Sequence, residues 1–401
     1  MIQIINKDAC CGCTACASIC THKAITMQSD ELGFFYPKVD KEICTNCNLC
    51  EKVCAFNEHY DTSCNFKEPL IFAVRHRDIH EIETSRSGAA FIAVSDYILE
   101  RGGVVYGAGF TDHFKVIHKR AVNTEQRNEF KGSKYVQSDL TGIFEQVKAD
   151  LKMGYTVLFS GTACQIAGLS SFLGSSLKKN LILIDIVCHG VPSPYIWRDY
   201  ITYLEKKYKQ KIITANFRDK TKLGWTAHKE SFIFVSGKKK VRQTYTTLFY
   251  QNIMLRPSCG KCFYTNFHRP SDFTLADYWG WEKIDTNFNA DNKGCSLLLV
   301  NTPRGAEIWE NVKHQLFYIK SDASNCMQPN LLHPSVLSVY SDNFLELYRA
   351  KGFIGIGKKY GDLGLTNFLR NIKRRFIQVT IQNWRIDYHV SFPYLRAKLK
   401  T

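Results

Sequence analysis

The chain has 401 residues, 16 cysteines and a formal net charge of +16 at pH 7. Its length exceeds that of a small electron carrier and leaves room for one or two further domains. No uncharged apolar run of about 18 residues occurs, so the sequence predicts no membrane-spanning helix. So many cysteines without a visible targeting segment indicate a reducing, cytoplasmic location rather than a secreted, disulfide-bonded protein.

The first 54 residues contain two cysteine runs with the same spacing, C-x2-C-x2-C-x3-C. The runs are Cys10, Cys13, Cys16 and Cys20, and Cys44, Cys47, Cys50 and Cys54. A four-iron cubane needs four converging thiolates, and in two-cluster ferredoxins the fourth cysteine of each run binds the other cluster. The spacing therefore predicts one [4Fe–4S] cluster on Cys10, Cys13, Cys16 and Cys54, and a second on Cys44, Cys47, Cys50 and Cys20.

Two other kinds of site compete for these cysteines. Zinc usually takes two separated pairs rather than triplets followed by a fourth cysteine, and disulfide frameworks suit secreted chains. We therefore predict a two-cluster ferredoxin-like α+β unit over residues 1–57, with a hairpin formed by Ala24–Met27 and Gly33–Pro37. Residues 58–69 are polar and aperiodic and are predicted to be a linker.

Beyond the linker, short apolar runs alternate with helical segments, a pattern typical of an α/β domain. The first predicted strands are Leu70–Val74, Val104–Tyr106, Thr156–Phe159 and Leu181–Val187, and the helices between them are Ala89–Glu100, Leu140–Met153 and Cys164–Leu173. A part richer in strands follows, with Lys211–Phe217, Ser231–Val235, Val241–Tyr245 and Cys295–Val300, and then a helix at Arg304–Tyr318.

Four further cysteines lie in contexts that favour chemistry: Cys164, Cys188 and the C-x2-C pair Cys259 and Cys262. Cys164 comes where a buried strand turns into a helix, and Cys188 follows the next strand. Helix starts stabilise anionic groups, and strand ends in open α/β sheets collect ligands. Spacing alone leaves two interpretations open. The four form a third cluster, or two are buried apolar residues while the pair binds zinc with His189 or His268.

Two glycine-bearing loops have the composition of a cofactor contact. Ser87-Gly88 opens a helix and offers N–H groups and a hydroxyl, whereas Lys131–Tyr135 offers cations and an aromatic ring. No G-x-G-x-x-G follows a strand, so a Rossmann nicotinamide site is not supported. Glycine loops are more often plain turns, so composition alone does not decide between the two.

Between Leu70 and Tyr278 the chain resembles the beta subunits of coenzyme F-420 hydrogenases and dehydrogenases. The resemblance rests on ordered motifs at Ser87-Gly88, Lys131–Tyr135, Gly161–Gln165, Cys188–Gly190, Phe217–Lys220, Arg256–Cys262, Ser271–Phe273 and Ala276–Gly280. It implies a flavoprotein that carries FAD beside a [4Fe–4S] cluster and exchanges hydride with a deazaflavin or another small molecule. The chain departs from the family at Ala89, where a second glycine is common, and at Ala163, where proline is common.

The resemblance also implies roles for single residues. Cys164, Cys188, Cys259 and Cys262 become ligands of a third [4Fe–4S] cluster next to FAD. Ser87, Gly88, Lys131, Gly132, Ser133, Lys134 and Tyr135 become candidate FAD contacts. For Asp277 two interpretations are open, a cofactor contact and a cap of a turn. The large domain divides into an FAD-binding part at residues 70–150 and a part at 151–345 with the third cluster and the substrate side. Neither the sequence nor the resemblance identifies a catalytic acid or base.

The expected function is an oxidoreductase that relays electrons between a ferredoxin-like donor or partner subunit, the clusters and FAD. A dicluster unit fused to this domain also resembles members found in bacterial polysaccharide-synthesis loci, where the deazaflavin can be absent. The alternative is a non-enzymatic electron-transfer subunit that feeds a partner enzyme. Four cysteines complete no predicted site and are expected to be dispensable for metal binding: Cys11, Cys64, Cys295 and Cys326.

The predicted C-terminal tail comprises residues 346–401, and its part from residue 366 to residue 401 carries nearly half of the excess positive charge. Its apolar residues Phe368, Leu369, Ile372, Phe376 and Val379 fall near one helical face. Two interpretations are open: a surface helix that contacts an anionic membrane or an acidic partner, and a helix docked on the protein's own core. Aromatic residues do not interleave with the basic ones as in nucleic-acid-binding modules, so we expect no nucleic-acid partner.

Overall fold

The structure is a computed structural model that describes residues 1–364, so the expected tail helix at 366–401 lies outside the described residues. Residues 1–57 contain the antiparallel hairpin β1 (Ile25–Ser29) and β2 (Phe35–Val39). The Asp30 carboxylate closes the turn by accepting the N–H groups of Leu32 and Phe34, each at 3.0 Å. Two short helices, α1 (Ala15–Ile19) and α2 (Leu49–Lys52), begin within the cysteine runs. The predicted ferredoxin-like α+β unit is confirmed.

The larger part of the chain is a mixed α/β structure, as predicted. Its strands are β3 (Leu70–His76), β4 (Val104–Phe110), β5 (Val116–Ala121), β6 (Val157–Thr162), β7 (Leu181–Ile186), β8 (Ile212–Asn216), β9 (Glu230–Phe234), β10 (Lys239–Arg242), β11 (Phe273–Asp277), β12 (Ser296–Val300) and β13 (Leu316–Ser321). Its helices are α3 (Ile79–Thr84), α4 (Ala90–Leu99), α5 (Thr124–Asn128), α6 (Ile143–Lys152), α7 (Ala163–Phe172), α8 (Ser175–Lys178), α9 (Pro194–Tyr208), α10 (Thr244–Tyr250), α11 (Pro303–Val312), α12 (Ala323–Cys326) and α13 (Ser341–Lys359).

Eight strands form the main sheet in the order β13-β3-β12-β11-β7-β6-β4-β5. The neighbours β4, β6, β7 and β11 run parallel, while the outer strands pair antiparallel. The central strands are buried on both faces: Leu158 and Ile182 pack towards α4 and α11, whereas Phe159 and Leu183 pack towards α6 and α7. Two covered faces explain why these strands read as continuous apolar runs. β8, β9 and β10 form a separate antiparallel sheet.

The structure differs from the sequence prediction at two element ends. The predicted strand Val241–Tyr245 is wrong beyond Arg242, because α10 begins at Thr244. The predicted helix Arg304–Tyr318 is also too long, since α11 ends at Val312 and β13 pairs with β3 along the sheet edge. Pairing with a strand more than two hundred residues away outweighs the local pattern, which a short window of sequence does not report. The helix α9 and the strand β11 were not predicted.

The hairpin of the ferredoxin-like unit is fixed to the start of α9. Ser193 donates its hydroxyl to the Leu32 carbonyl oxygen at 2.5 Å, and the Tyr195 N–H donates to the same oxygen at 3.2 Å. The hydroxyls of Ser29 and Tyr195 lie 2.8 Å apart. We call this the hairpin contact. The predicted linker has no helix or strand, but the Tyr60 ring packs on Tyr264 with centroids 4.6 Å apart.

Within residues 1–364, no helix combines the length and the apolar composition that a bilayer crossing requires.

Candidate functional site

The cysteines predicted for the second cluster lie around one cavity, which we call the outer set. Cys20, Cys44, Cys47 and Cys50 line about 390 Å³ of empty space at the free end of the ferredoxin-like unit. Two backbone N–H groups reach the sulfurs: Ala24 donates to Cys20 and Ile2 donates to Cys50, each at 3.3 Å. Such N–H···S bonds stabilise a thiolate that binds a cluster. The crossed assignment, with Cys20 joining the second run, is thus supported by proximity.

The cysteines predicted for the first cluster, Cys10, Cys13, Cys16 and Cys54, form the inner set. Burial raises the pKa of Cys10, and the charges of Cys13 and Cys54 raise it further. Burial also raises the pKa of Cys16, with Cys13, Cys10 and Cys54 adding to the shift. Four mutually acting sulfurs are the donor set of a cubane.

Cys164, Cys188, Cys259 and Cys262, the third set, line one cavity with about 520 Å³ of empty space. Cys164 lies in the first turn of α7, where Thr162 and Gln165 form a capping box. Cys188 follows β7, and the pair comes from a short 3-10 turn at Pro257–Lys261. The structure therefore brings together four thiols from three separate segments.

Burial dominates the electrostatics of the third set. It raises the pKa of Cys259 to about 12 and that of Cys262 to about 11, and it raises the pKa of Cys188 as well. The Cys11 thiol instead lowers the pKa of Cys164 to about 7 by hydrogen bonding to its sulfur. Since a cluster binds thiolates, metal insertion would release the remaining protons.

The donor set fits a cluster better than zinc. Among residues 1–364, no three His, Cys, Asp or Glu side chains converge as closely as one metal ion requires. The thiolates at the corners of a cubane lie further apart than the four ligands of a tetrahedral zinc ion. His268 does not line the cavity, and the Nε2 atom of His189 lies 2.6 Å from the Asn252 side-chain oxygen.

The four cysteines predicted to be spare occupy different environments. Cys64 is exposed, while Cys295 and Cys326 are buried among apolar side chains that include Trp225 and Tyr278. Cys11 is buried and lines the third-set cavity together with Cys164. Three of the four thus line neither the outer cavity nor the third-set cavity, whereas Cys11 lines the latter.

Two candidate FAD contacts serve packing in this structure. Ser87 donates its hydroxyl to the Cys295 carbonyl oxygen at 2.6 Å, and the Gly88 N–H donates to the Ser296 hydroxyl at 2.8 Å. A Cβ atom on Gly88 would lie 2.1 Å from the Val74 carbonyl oxygen. Contact with the sheet backbone therefore explains the glycine.

In the loop of residues 131–135, the two lysines also contact protein groups, whereas the other candidate FAD contacts differ in their surroundings. Lys131 pairs with Glu81 at 2.6 Å, and the Lys134 ammonium donates to the carbonyl oxygens of Glu129 and Lys131. Ser133 is exposed, and a Cβ atom on Gly132 would have no neighbour within 4 Å. The Tyr135 hydroxyl accepts a hydrogen bond from Arg218, which in turn pairs with Asp277.

Asp277 lies in a cluster that the sequence analysis did not assemble. Its carboxylate pairs with Arg218 and accepts the indole N–H of Trp225 at 2.9 Å. Burial would raise the pKa of Asp277, but Arg218 and Arg86 outweigh it and lower the pKa. Burial lowers the pKa of Arg86 to about 10 and, together with Arg86, the pKa of Lys220 to about 7. Three partly buried cations thus surround one carboxylate.

Aromatic rings connect this cation cluster to the third set. The His189 ring contacts Tyr250 with centroids 5.8 Å apart, and Tyr250 hydrogen bonds to His228. His228 stacks on Trp279 at 5.7 Å, and Trp279 stacks on Trp225 at 4.5 Å. Trp279 and Tyr250 are exposed on their outer sides. A planar ring bound there would lie at the end of a continuous path from the third set.

The cation cluster fits an anionic, planar cofactor such as FAD. The buried Nε atoms of Arg86 and Arg218 have no hydrogen-bond partner, so two donors remain for a ligand. The exposed Trp279 and Tyr250 rings offer stacking surfaces. The sequence gives two signals for this site: the Phe217–Lys220 motif, to which the resemblance assigns no role, and the Ala276–Gly280 motif, which contains the candidate FAD contact Asp277.

Two family models match the chain. One, for the C-terminal part of the coenzyme F420 hydrogenase/dehydrogenase beta subunit, matches residues 154–324, and a "4Fe-4S dicluster domain" model matches residues 9–57. No curated protein matches the chain significantly. Among solved structures, a chain from the F420-reducing [NiFe] hydrogenase complex of Methanosarcina barkeri is similar, with 16% identity, 74% of this chain and 95% of that chain covered, and a TM-score of 0.44.

Proposed function

We propose a function for this chain from its two family matches, the coenzyme F420 hydrogenase/dehydrogenase beta subunit at residues 154–324 and a 4Fe-4S dicluster domain at residues 9–57. It is an iron–sulfur electron-transfer protein related to that subunit. In our proposal it is a flavin-dependent oxidoreductase that moves electrons between the inner and outer sets, the third set and FAD. Its substrate is a small hydride donor or acceptor, a deazaflavin or another compound.

One observation carries the proposal: the inner set, the third set and the cation cluster are in continuous contact. Arg256 lies 3.6 Å from the Cys10 sulfur and lines the third-set cavity together with Cys164 and His189. The ring path from His189 ends at Trp279. Bound clusters supply one-electron steps, and bound FAD supplies the change to two-electron hydride chemistry. In this proposal the chain's own residues fix these groups in order and balance their charge.

The experiment begins with anaerobic purification, iron analysis and mass spectrometry of the extracted cofactor. We expect about twelve iron atoms per chain, which is three cubanes of four, and one FAD. About eight iron atoms would leave only the ferredoxin-like unit loaded and would refute the third cluster. Recovery of no flavin after anaerobic handling would refute the FAD assignment.

Trp279→Leu locates the flavin. The ring is exposed and carries Arg218 at 5.6 Å, so its removal should spare the fold but weaken flavin binding. Stacking of this kind contributes about 1–1.5 kcal/mol, so the dissociation constant should rise about tenfold. Phe317→Leu is the matched control, because Phe317 is also exposed and carries Arg77 at 4.4 Å, but on β13 at the sheet edge. Equal affinities in both variants would place the flavin elsewhere.

A second candidate function is an electron-transfer subunit without a substrate of its own. The exposure of Cys47 in the outer set favours electron exchange with a partner protein. The two functions are separated by adding a small hydride donor to purified holoprotein and following flavin absorbance. Reduction of the flavin supports the enzyme, and reduction only by a protein donor supports the subunit. A role in polysaccharide synthesis is a further proposal that rests on the family resemblance.

A further inference from the structure

Arg256 lies where the inner and third sets meet. Its side chain is fully buried, and its Nε atom donates to the Cys10 carbonyl oxygen at 2.8 Å. One Nη atom donates to the Phe35 carbonyl oxygen at 2.8 Å and lies 3.6 Å from the Cys10 sulfur. The other donates to the Gln137 side-chain oxygen at 2.9 Å. One guanidinium therefore joins the cysteine loop, the hairpin and the third-set segment.

This cation has no carboxylate partner among residues 1–364. The hydrogen-bond acceptors around it are two carbonyl oxygens, one amide oxygen and one sulfur, and the Tyr36 ring lies 4.2 Å away. A buried charge is costly unless an opposite charge compensates it. The buried candidates for that charge are the cysteine sulfurs on either side of the guanidinium.

Arg256 acts on sulfurs of both sets. Burial raises the pKa of Cys10 in the inner set and of Cys259 in the third set, and the charge of Arg256 acts in the opposite direction on both. The cation therefore favours negative charge on either side of it.

The surrounding sequence makes room for the guanidinium. Gly12 has φ +71°, and a Cβ atom there would lie 2.8 Å from the nearer Nη atom of Arg256. The Gln137 amide donates to the Cys11 carbonyl oxygen at 3.1 Å while it accepts from Arg256. Any side chain at residue 12 would displace the guanidinium or strain the loop.

We infer that Arg256 is a positioning residue for electron transfer between the inner and third clusters. It fixes their separation and stabilises an added electron on either side, because nearby charge and hydrogen bonds to sulfur set cluster potentials. One electron leaves one cluster and enters the other, while no bond changes and no proton moves. This inference rests on the proposed function, in particular on a cluster at the third set.

The test is a redox titration of holoprotein followed by paramagnetic resonance, with iron content measured on the same samples. In Arg256→Gln we expect the reduced-to-oxidised ratio of the inner and third clusters at a fixed potential to fall at least tenfold, about 59 mV for a one-electron couple. Arg256→Lys keeps the charge and should change the ratio less than threefold. The outer cluster should not shift in either variant.

Lys261→Gln is the matched control. Lys261 lies between Cys259 and Cys262 and pairs with Asp8 of the ferredoxin-like unit at 2.7 Å, but its side chain is exposed. Solvent screens an exposed charge, so the cluster potentials should stay near those of the wild type.

Each outcome decides between an electrostatic and a purely structural role. Unchanged potentials in a fully loaded Arg256→Gln variant overturn the inference. If that variant loses iron, Arg256→Lys decides: retained iron with near wild-type potentials supports the inference, and lost iron shows that Arg256 only maintains the fold. Wild-type protein with about eight iron atoms would instead refute the proposed third cluster, which is a separate failure.

Discussion

The two cysteine runs have the same spacing and opposite surroundings. In the first run every residue from 11 to 16 is buried except the half-buried Cys13, whereas in the second run residues 45–49 are all exposed. The first run is covered by α7, where a Cβ atom on Gly168 would lie 2.7 Å from the Cys13 sulfur, and by Arg256. Within the second run, Glu51 pairs with the Met1 N-terminus.

The same local cysteine motif can therefore serve two different roles in electron transfer, depending on which residues pack against it. An exposed cluster can approach a donor protein, because tight electronic contact needs a short distance between partners. A buried cluster exchanges electrons with its internal neighbour and is shielded from solvent. In the proposed function, the outer set is therefore the point of electron entry and the inner set the point of internal transfer.

The largest effect is expected when one cysteine of the third set is removed, because this interrupts electron transfer between the N-terminal clusters and the flavin. Cys262→Ala removes one third-set ligand, so iron should fall by about four per chain while both N-terminal clusters stay reducible by dithionite. Electron transfer between these clusters and the flavin should then slow at least about a hundredfold. The exposed Cys64→Ala is the control. A variant with full iron content would show that Cys262 is not a ligand.

Removing the outer cluster should have a smaller effect. Cys47→Ala should lower iron by about four and slow reduction by a donor protein by about tenfold or more, since electrons lose their exposed entry. Transfer between the flavin and the inner cluster should continue at the wild-type rate, which stopped-flow absorbance measures. Equal loss of both processes would end the distinction between entry and internal transfer.

The four cysteines outside the three sets should not be needed for metal binding. Serine at Cys11, Cys64, Cys295 and Cys326 should leave about twelve iron atoms per chain. The buried Cys295→Ser should lower the free energy of unfolding by about 1–3 kcal/mol, because a hydroxyl replaces an apolar thiol among apolar neighbours. Denaturant unfolding checks the second expectation. A loss of about four iron atoms in Cys11→Ser alone would make that residue a ligand of the inner or third cluster.

The smallest effect concerns the far end of the path. Burial, with the charge of Arg86 second, lowers the pKa of Lys220 to about 7, so this lysine loses its proton as the pH rises through 7. A site that loses positive charge binds an anion less well, so flavin affinity should fall about threefold between pH 6 and pH 8. Fluorescence titration should show no such slope in Lys220→Met.

Lys134→Met is the control for this pH effect. Burial also lowers the pKa of Lys134 to about 7, but the charges that act on this lysine are those of Glu129 and Lys119, whereas Arg86 and Asp277 act on Lys220. Both ammonium groups donate to two carbonyl oxygens, those of Glu129 and Lys131 for Lys134 and those of Ile82 and Lys293 for Lys220. The slope should therefore persist in this variant. Its disappearance would restore Lys134 as a flavin contact.

The sequence predicted most of the fold and the 4Fe-4S dicluster domain because both depend on short-range patterns. Apolar runs predicted the positions of β6 and β7. The cysteine spacing grouped Cys20 with Cys44, Cys47 and Cys50, and in the structure Cys20 lines the outer cavity with these three cysteines. The edge strand β13 was missed because its partner β3 lies far away in the chain.

The cation cluster and the role of Arg256 could not be predicted from the sequence, for a different reason. Arg86, Arg218 and Asp277 come from three distant segments, and no local pattern reports that they meet. Conversely, Ser87 and Gly88 have the composition of a phosphate loop, yet their contacts with Cys295 and Ser296 are those of chain packing.

The hairpin contact has a consequence for biosynthesis. The cysteines of the inner and outer sets are complete once Cys54 has left the ribosome, whereas Ser193 and Tyr195 emerge about 140 residues later. N-terminal units fold first during synthesis. Metal can therefore enter the first run while it is still uncovered, before the rest of the chain closes over it. Maturation of the inner cluster is then an early event, and reconstitution of the finished apoprotein should fill the outer set faster than the inner one.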